Sequence, residues 1–234
     1  LNKISEWWFK KTEKLVPNHF ISSEDRCMIV KKADVFPIEF VMRNYLTGST
    51  STSIWKNYEA GMRYYCGHKL KDGMIKDQKL ERAILTPTTK GKKDELISKK
   101  IIIERGIMTK EDYEVCERYA HKLFEIGVHE AGKRGLILVD TKYEFGKTKD
   151  GNIVLIDEVH TPDSSRYWLE HSYKSRFKEG KSPEMIDKEI IRKWIRKNYE
   201  DPYTANKIMI SDDIRMLTYV RYIQLYEIIT GESF

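Results

Sequence analysis

Two acid-bearing strands joined by an Asp-Gly turn constrain this chain more than any other feature. Residues 135–146 (GLILVDTKYEFG) run straight into residues 147–168 (KTKDGNIVLIDEVHTPDSSRYW). The first run is rich in β-formers, and Asp150-Gly151 is a strong signal for a two-residue hairpin loop. With those two residues as the loop, Lys149 pairs with Asn152, and counting outward sets Glu144 opposite Asp157. Two carboxylates facing each other across a ladder repel, and a cation between them relieves that repulsion. Side-chain alternation puts Asp140, Lys142 and Glu144 on one face, with Ile137, Val139, Thr141, Tyr143 and Phe145 on the other. The second face is expected to be core. The first is expected to be a site for a hard metal and a phosphate, because carboxylate oxygens suit magnesium and an ammonium suits phosphoryl oxygens. The alternative, two solvated acids on an exposed hairpin, sits poorly with that segregation of apolar residues.

The rest of the chain reads as mixed α and β. Apolar spacing from Ile4 through Trp7, Trp8 and Leu15 predicts a helix over residues 1–16, stopped by Pro17 and Asn18. Residues 27–32 and 38–46 read as strands, and a short GSTSTS loop precedes a helix starting near Ile54. Gly67, Gly73 and Pro87 mark a long irregular stretch that contains LTPTTKGKKDELIS. Thr109, with Glu111 and Asp112 behind it, opens the clearest helix; its stripe is Cys116, Tyr119, Ala120, Leu123, Phe124 and Gly127. Two more helical stretches, 183–199 and 212–231, follow the hairpin. The expected class is α+β.

Composition narrows the function classes. No apolar run approaches the roughly 18–20 residues needed to span a bilayer, and LNKISEWWFKK lacks the apolar stretch of a secretory signal. Three widely spaced cysteines offer neither zinc spacing nor a disulfide framework, so a reduced, cytoplasmic setting is expected. A net charge of +6 is spread along the 234 residues. It serves small polyanionic substrates as well as it would serve nucleic acid, and no nucleic-acid motif accompanies it.

At the hairpin the sequence stops being anonymous. GLILVDTKYEFG followed by LIDEVHTPDSSRYW resembles the SAICAR synthetase family, and LVPNHFIS, VFPIEFVMRNYLTGS and LTPTTKGKKDE upstream do so in the same order. The resemblance runs from the first residues to about Trp168, and the C-terminal helices look like the longer branch of that family. It implies a two-lobed α+β fold whose ATP site is reminiscent of ATP-grasp enzymes and protein kinases. The expected division is a nucleotide lobe represented by residues 1–50 and a larger lobe over 51–234, with the hairpin at about 136–159. Family members begin with a glycine-rich strand pair and a D-R-I-S-A-F-D-like segment, neither of which precedes Leu1. The chain also does not begin with Met, so a fragment lacking part of the first lobe is expected.

The implied reaction joins CAIR, a carboxylated aminoimidazole ribonucleotide, to L-aspartate, with ATP split to ADP and phosphate by way of an acyl phosphate. Glu144 and Asp157 would hold Mg2+ against ATP, and Lys142 would neutralise the migrating phosphoryl group. Arg43 alternates with Glu39 and Val41 before the N-Y-L-T-G-S turn, and Ser49 follows Gly48. The resemblance assigns Arg43, Ser49 and Arg166 to the ribonucleotide, a set that makes an anion cradle. Lys90 is assigned to substrate and Asp94 to catalysis; Lys93 stands where relatives commonly carry His. Asp163 fits a catalytic acid or a helix cap, and His19, His160, Trp7 and Trp8 read as structural. Two other readings stay open: an inositol-polyphosphate-type kinase, which shares the D-x-K strand, and a basic, aromatic-rich RNA-binding module.

Overall fold

In chain order the elements of the computed structural model are α1 (Asn2–Thr12), β1 (Phe20–Glu24), β2 (Cys27–Val30), β3 (Asp34–Val35), β4 (Ile38–Leu46) and α2 (Ile54–Glu59). Next come β5 (Tyr64–Tyr65), β6 (His68–Lys69), β7 (Gln78–Leu85), β8 (Thr88–Thr89), α3 (Lys99–Glu104) and α4 (Lys110–Gly132). The chain ends with β9 (Leu136–Lys147), β10 (Ile153–Ile156), β11 (Ser165–Leu169), α5 (Glu170–Lys178), α6 (Glu189–Asn198) and α7 (Asp212–Thr230). Residues 1–24, 26–91, 94–199 and 208–234 are described. The class is α+β.

The spine of the molecule is β9, the longest strand. Its first half pairs antiparallel with β11 and its second half with β10, while β4 and β3 run along its other edge. Beyond β4 lie β7 and β8. Alternation along β4 is clean: Ile38, Phe40 and Met42 enter the main core, and Glu39, Val41 and Arg43 face away from it. The core side is covered by α1, α4 and α7. Trp8 and Phe9 are fully buried there, with Cys116, Ala120, Leu123 and Phe124 from the predicted α4 stripe. Thr109 caps α4, its hydroxyl accepting the Asp112 N–H at 3.1 Å. The lobe boundary expected near residue 50 falls between β4 and α2, and one core cluster draws residues from both sides of it. A smaller cluster packs α2, β5 and β7 around Leu46, Tyr58 and Tyr65.

Three expectations change. First, the hairpin register is off by one: Ile156, not Asp157, lies opposite Glu144. The loop holds three residues, closed by the Thr148 N–H on the Asn152 carbonyl (2.9 Å) and the Gly151 N–H on the Thr148 carbonyl (2.9 Å). Gly151 takes φ +80°, as a three-residue loop ending in a left-handed residue requires. Second, the faces of β9 change phase. Arg166 pairs with Asp140 but Tyr167 pairs with Leu138, so Val139 is an extra residue, a bulge. Leu136 and Leu138 therefore share the main core with Tyr143 and Phe145. Ile137 and Val139 turn instead to a separate cluster with Tyr45 and Trp168. Third, the stretch read as irregular contains the eight-residue strand β7, and Arg166 stands on a strand, β11.

Candidate active site

Cross-strand partners share a sheet face, so the register alone assembles the outward face. Val41 lies against Lys142 and Arg43 against Asp140 on one side of β9, and Arg166 lies against Asp140 on the other. The strand rise separates Asp140 from Glu144 by about 13 Å, four residues at roughly 3.3 Å each. Two charged clusters occupy the ends of that span.

At the Glu144 end, the ammonium of Lys142 reaches Glu39 Oε1 at 3.1 Å and Glu144 Oε1 at 3.5 Å, and Lys90 donates to Glu144 Oε2. Glu144 is 4% exposed in its side chain, whereas Lys90 lies half in solvent. Burial alone would lower the Lys142 ammonium, but Glu39, with Glu144 and Asp157, outweighs it and holds the group above its usual range. The Asp157 carboxyl is pushed up by burial and then by Glu144, against the pull of Lys142 and Lys90. Asp94 is pushed up by burial and by Glu39. Both acids feel the charges of Glu144, Lys142 and Lys90. Since Asp157 does not oppose Glu144 on the ladder, it reaches the group another way. It follows the end of β10 at φ +65°, a left-handed turn that breaks the strand's alternation.

At the Asp140 end, Arg166 donates to Asp140 Oδ2 at 2.7 Å and reaches Glu189 Oε2 at 3.6 Å. Arg43 lies beneath, 4% exposed, with all three donor positions partnered. Its Nε donates to Thr86 Oγ1 (2.8 Å), Nη2 to the Thr52 carbonyl (3.3 Å), and Nη1 approaches Asp140 Oδ2 (3.5 Å). Ser49 comes from the loop after β4. Gly48 there has φ +102°, and a Cβ on it would fall 2.6 Å from Ser53 Cβ and 3.3 Å from Arg166 Nη2. The Ser49 hydroxyl donates to Glu189 Oε1 and accepts from Arg196 Nη2. Thr47, Gly48, Ser49, Arg166, Glu189 and Arg196 line a hollow of about 50 Å3. A groove of about 670 Å3 between the β5–β6 hairpin and β7 shares no residue with either cluster.

The sequence expectations are thus distributed. Glu144, Asp157, Lys142, Lys90 and Asp94 gather at one end; Arg43, Ser49 and Arg166 gather at the other. Lys93 lies outside the described residues. Asp163 caps no helix and pairs with Lys188 at 3.2 Å. The Glu158 carboxylate accepts from the Thr161 hydroxyl. His160 is fully buried, bonded to the Tyr143 hydroxyl, and pushed down to about 3 by that burial, so it is neutral and structural. The sequence placed Glu39 and Asp140 on the site-facing side of their strands without giving either a role, and it gave no notice of Glu189 or Arg196. Glu39 and Asp140 carried a signal, the same period-two alternation that picked out Arg43 and Lys142. Glu189 and Arg196 stand seven apart on one helix face, with nothing local to say what that face meets.

Two carboxylates suit a hard divalent cation whose other ligands are ATP phosphates and water. Among the described residues no group of three or more His, Cys, Asp or Glu side chains is placed to hold a metal ion by itself. Glu144 and Asp157 carry hard oxygen donors of the kind such a cation takes.

Likenesses of three kinds bear on this geometry: to a family, to relatives in sequence and to solved structures. The profile described as SAICAR synthetase matches residues 1–208. A phosphoribosylaminoimidazole-succinocarboxamide synthase of Legionella pneumophila (strain Paris) is 52% identical over all of this chain and 76% of its own length. The chloroplastic enzyme of that name from Arabidopsis thaliana is 51% identical over 99% of this chain and 57% of its own. Among solved structures, the SAICAR synthase of Saccharomyces cerevisiae complexed with SAICAR superimposes with a TM-score of 0.79. It is 32% identical, across 99% of this chain and 80% of that one. A type-2 SAICAR synthetase in complex with ADP gives 0.70 at 27% identity, across 99% of this chain and 79% of that one.

Proposed function

The chain belongs to the SAICAR synthetase family, ligases of purine biosynthesis, and from that premise we propose how its residues divide the reaction. The observation that carries the proposal is the placing of two clusters on one sheet face: acids with lysines at one end, arginines with a serine hydroxyl at the other. We assign the arginine end to the ribonucleotide. Arg166 and Ser49 contact its phosphate, and Arg43 holds Asp140, which in turn fixes the Arg166 guanidinium. The base end of CAIR then points along β9 toward Lys142, and its carboxylate meets the γ-phosphoryl group of ATP there.

Glu144 and Asp157 would hold Mg2+, which when bound supplies positive charge to the ATP phosphates. Lys142 and Lys90 neutralise the charge that collects as the phosphoryl group moves, since a loose phosphoryl-transfer transition state needs positioning and neutralisation above all. The resulting acyl phosphate is attacked by the amine of L-aspartate, and phosphate leaves. Asp94 is exposed as a residue, but partial desolvation of its carboxyl and then Glu39 raise its affinity for a proton. Those are the properties of a group that takes the amine proton, and we give it that role. Among the described residues no helix is long and apolar enough to cross a membrane. A cytoplasmic setting remains our proposal, beside the chloroplastic name of the Arabidopsis relative.

The test is ADP release by the natural protein with ATP and CAIR, with and without L-aspartate. Release that needs both substrates is expected. Release with CAIR that ignores aspartate would return the site to a kinase-type reading.

A further inference from the structure

We propose that Glu189 is a resident counter-anion of the arginine cradle, a carboxylate that the phosphate of an incoming ribonucleotide must displace. It therefore sets affinity at this end of the site and favours dianionic phosphomonoesters over weaker anions. The inference rests on the assignment of Arg166 and Ser49 to that phosphate.

Glu189 is buried and collects the donors an anion would use. Oε1 accepts from Ser49 and from Arg196 Nη2 (2.9 Å), and Oε2 faces Arg192 Nη1 (3.5 Å) and Arg166 Nη2 (3.6 Å). Burial would raise this carboxyl, but Arg166, Ser49, Arg196 and Arg192 outweigh it and hold it down at about 2, so the side chain is a full anion near neutrality. Lys76 and Lys193 also line the hollow, against Asp77 and Glu189. Cations exceed acids there even with Glu189 in place, as a site for a dianion requires.

The backbone at Glu189 is held independently of its side chain, whose partners are the donors a phosphate would take over. Asp187, fully buried, accepts the Glu189 N–H at one oxygen (2.8 Å) and the Tyr167 N–H at the other (2.8 Å), tying the start of α6 to β11. Release of the carboxylate is then a rotation about side-chain bonds with α6 held in place. Arg166 keeps Asp140 as a partner throughout, so its guanidinium stays aimed as one anion leaves and another arrives.

The variant E189Q keeps a hydrogen-bonding group of the same shape and removes the competing charge. In the full-length enzyme the KM for CAIR is expected to fall on the order of tenfold, with the KM for ATP unchanged. Inorganic phosphate is also expected to raise the melting temperature of E189Q by more than that of the parent. If Glu189 only braces the arginines, the CAIR KM stays level or rises and phosphate stabilises E189Q no better than the parent; that result overturns the proposal. R166A separates the premise from the inference. A large rise in its CAIR KM at constant ATP KM supports the cradle, and an unchanged CAIR KM removes the cradle and the counter-anion role together.

Discussion

At the scale of single residues, Asp157, the acid we assign to the cation, sits on an unusual backbone. Its φ of +65° lies in the left-handed region, which Asp and Asn tolerate and most residues do not. Because Asn accepts the same backbone, D157N removes the charge without disturbing the turn. The expected outcome is a melting temperature close to the parent's and a kcat lower by roughly 10²–10³-fold, the scale of losing one preorganised electrostatic contact. Near-normal turnover would dismiss Asp157 as a cation ligand. Glu130 is a second telling residue, remote from the site. Burial would raise its carboxyl, yet Arg134, Lys133 and Lys11 bring it down to about 2. An acid depressed on folding contributes stability above its unfolded value, near 4.5, and that contribution is lost as pH falls toward 2. E130Q should therefore lose less stability than the parent between those limits. A difference of about 1–2 kcal/mol is expected, read from urea midpoints at pH 6 and pH 3, and parallel pH profiles would contradict it.

Elements explain which parts of the fold could be read from sequence. β4, α2, α4 and α7 were legible to within a residue or two at their starts because periodicity and caps are local signals. β7 was not, since QKLERAIL alternates poorly and becomes a strand by pairing with β4. The acidic face of β9 was legible, but its core face was misread at Ile137 and Val139. A bulge is set by the partner strand β11, which the sequence of β9 does not contain. The seam between α4 and β9 gives a prediction at the same scale. Ala normally improves a helix interior over Gly by about 1 kcal/mol. At Gly127, however, a Cβ would fall 2.5 Å from His160 Cε1 and 2.8 Å from Leu138 Cδ2, both on buried side chains. Overpacking therefore wins, and G127A should lower stability by about 1–3 kcal/mol in denaturant unfolding. A neutral or stabilising result would mean that His160 can move aside despite its bond to Tyr143.

Across the whole molecule, the site is a set of long-range pairings: residue 43 with 140, 140 with 166, and 49 with 189. The sequence held most of the members and their chemistry, but the partners follow from sheet order and from the ion pair that brings Glu189 of α6 to Arg166 of β11. Charge acts at this scale as well. The chain carries +6 overall, and Arg43, Lys142 and Arg166 lie along one sheet face, with two of the three proposed substrates, ATP and CAIR, polyanionic. Summed over that face, attraction at distances of a Debye length or more should raise the encounter rate, and added salt should remove it. We expect kcat/KM for CAIR to fall several-fold between about 0.05 M and 0.3 M salt, with kcat changing little, because Lys142 and Glu144 are largely buried, where screening is weak. The measurement is initial rates at subsaturating CAIR across a salt series, with a neutral osmolyte as control. If kcat/KM stays flat while kcat falls, the charges serve local positioning alone, and the positive balance of the chain has no part in drawing substrate to the sheet face.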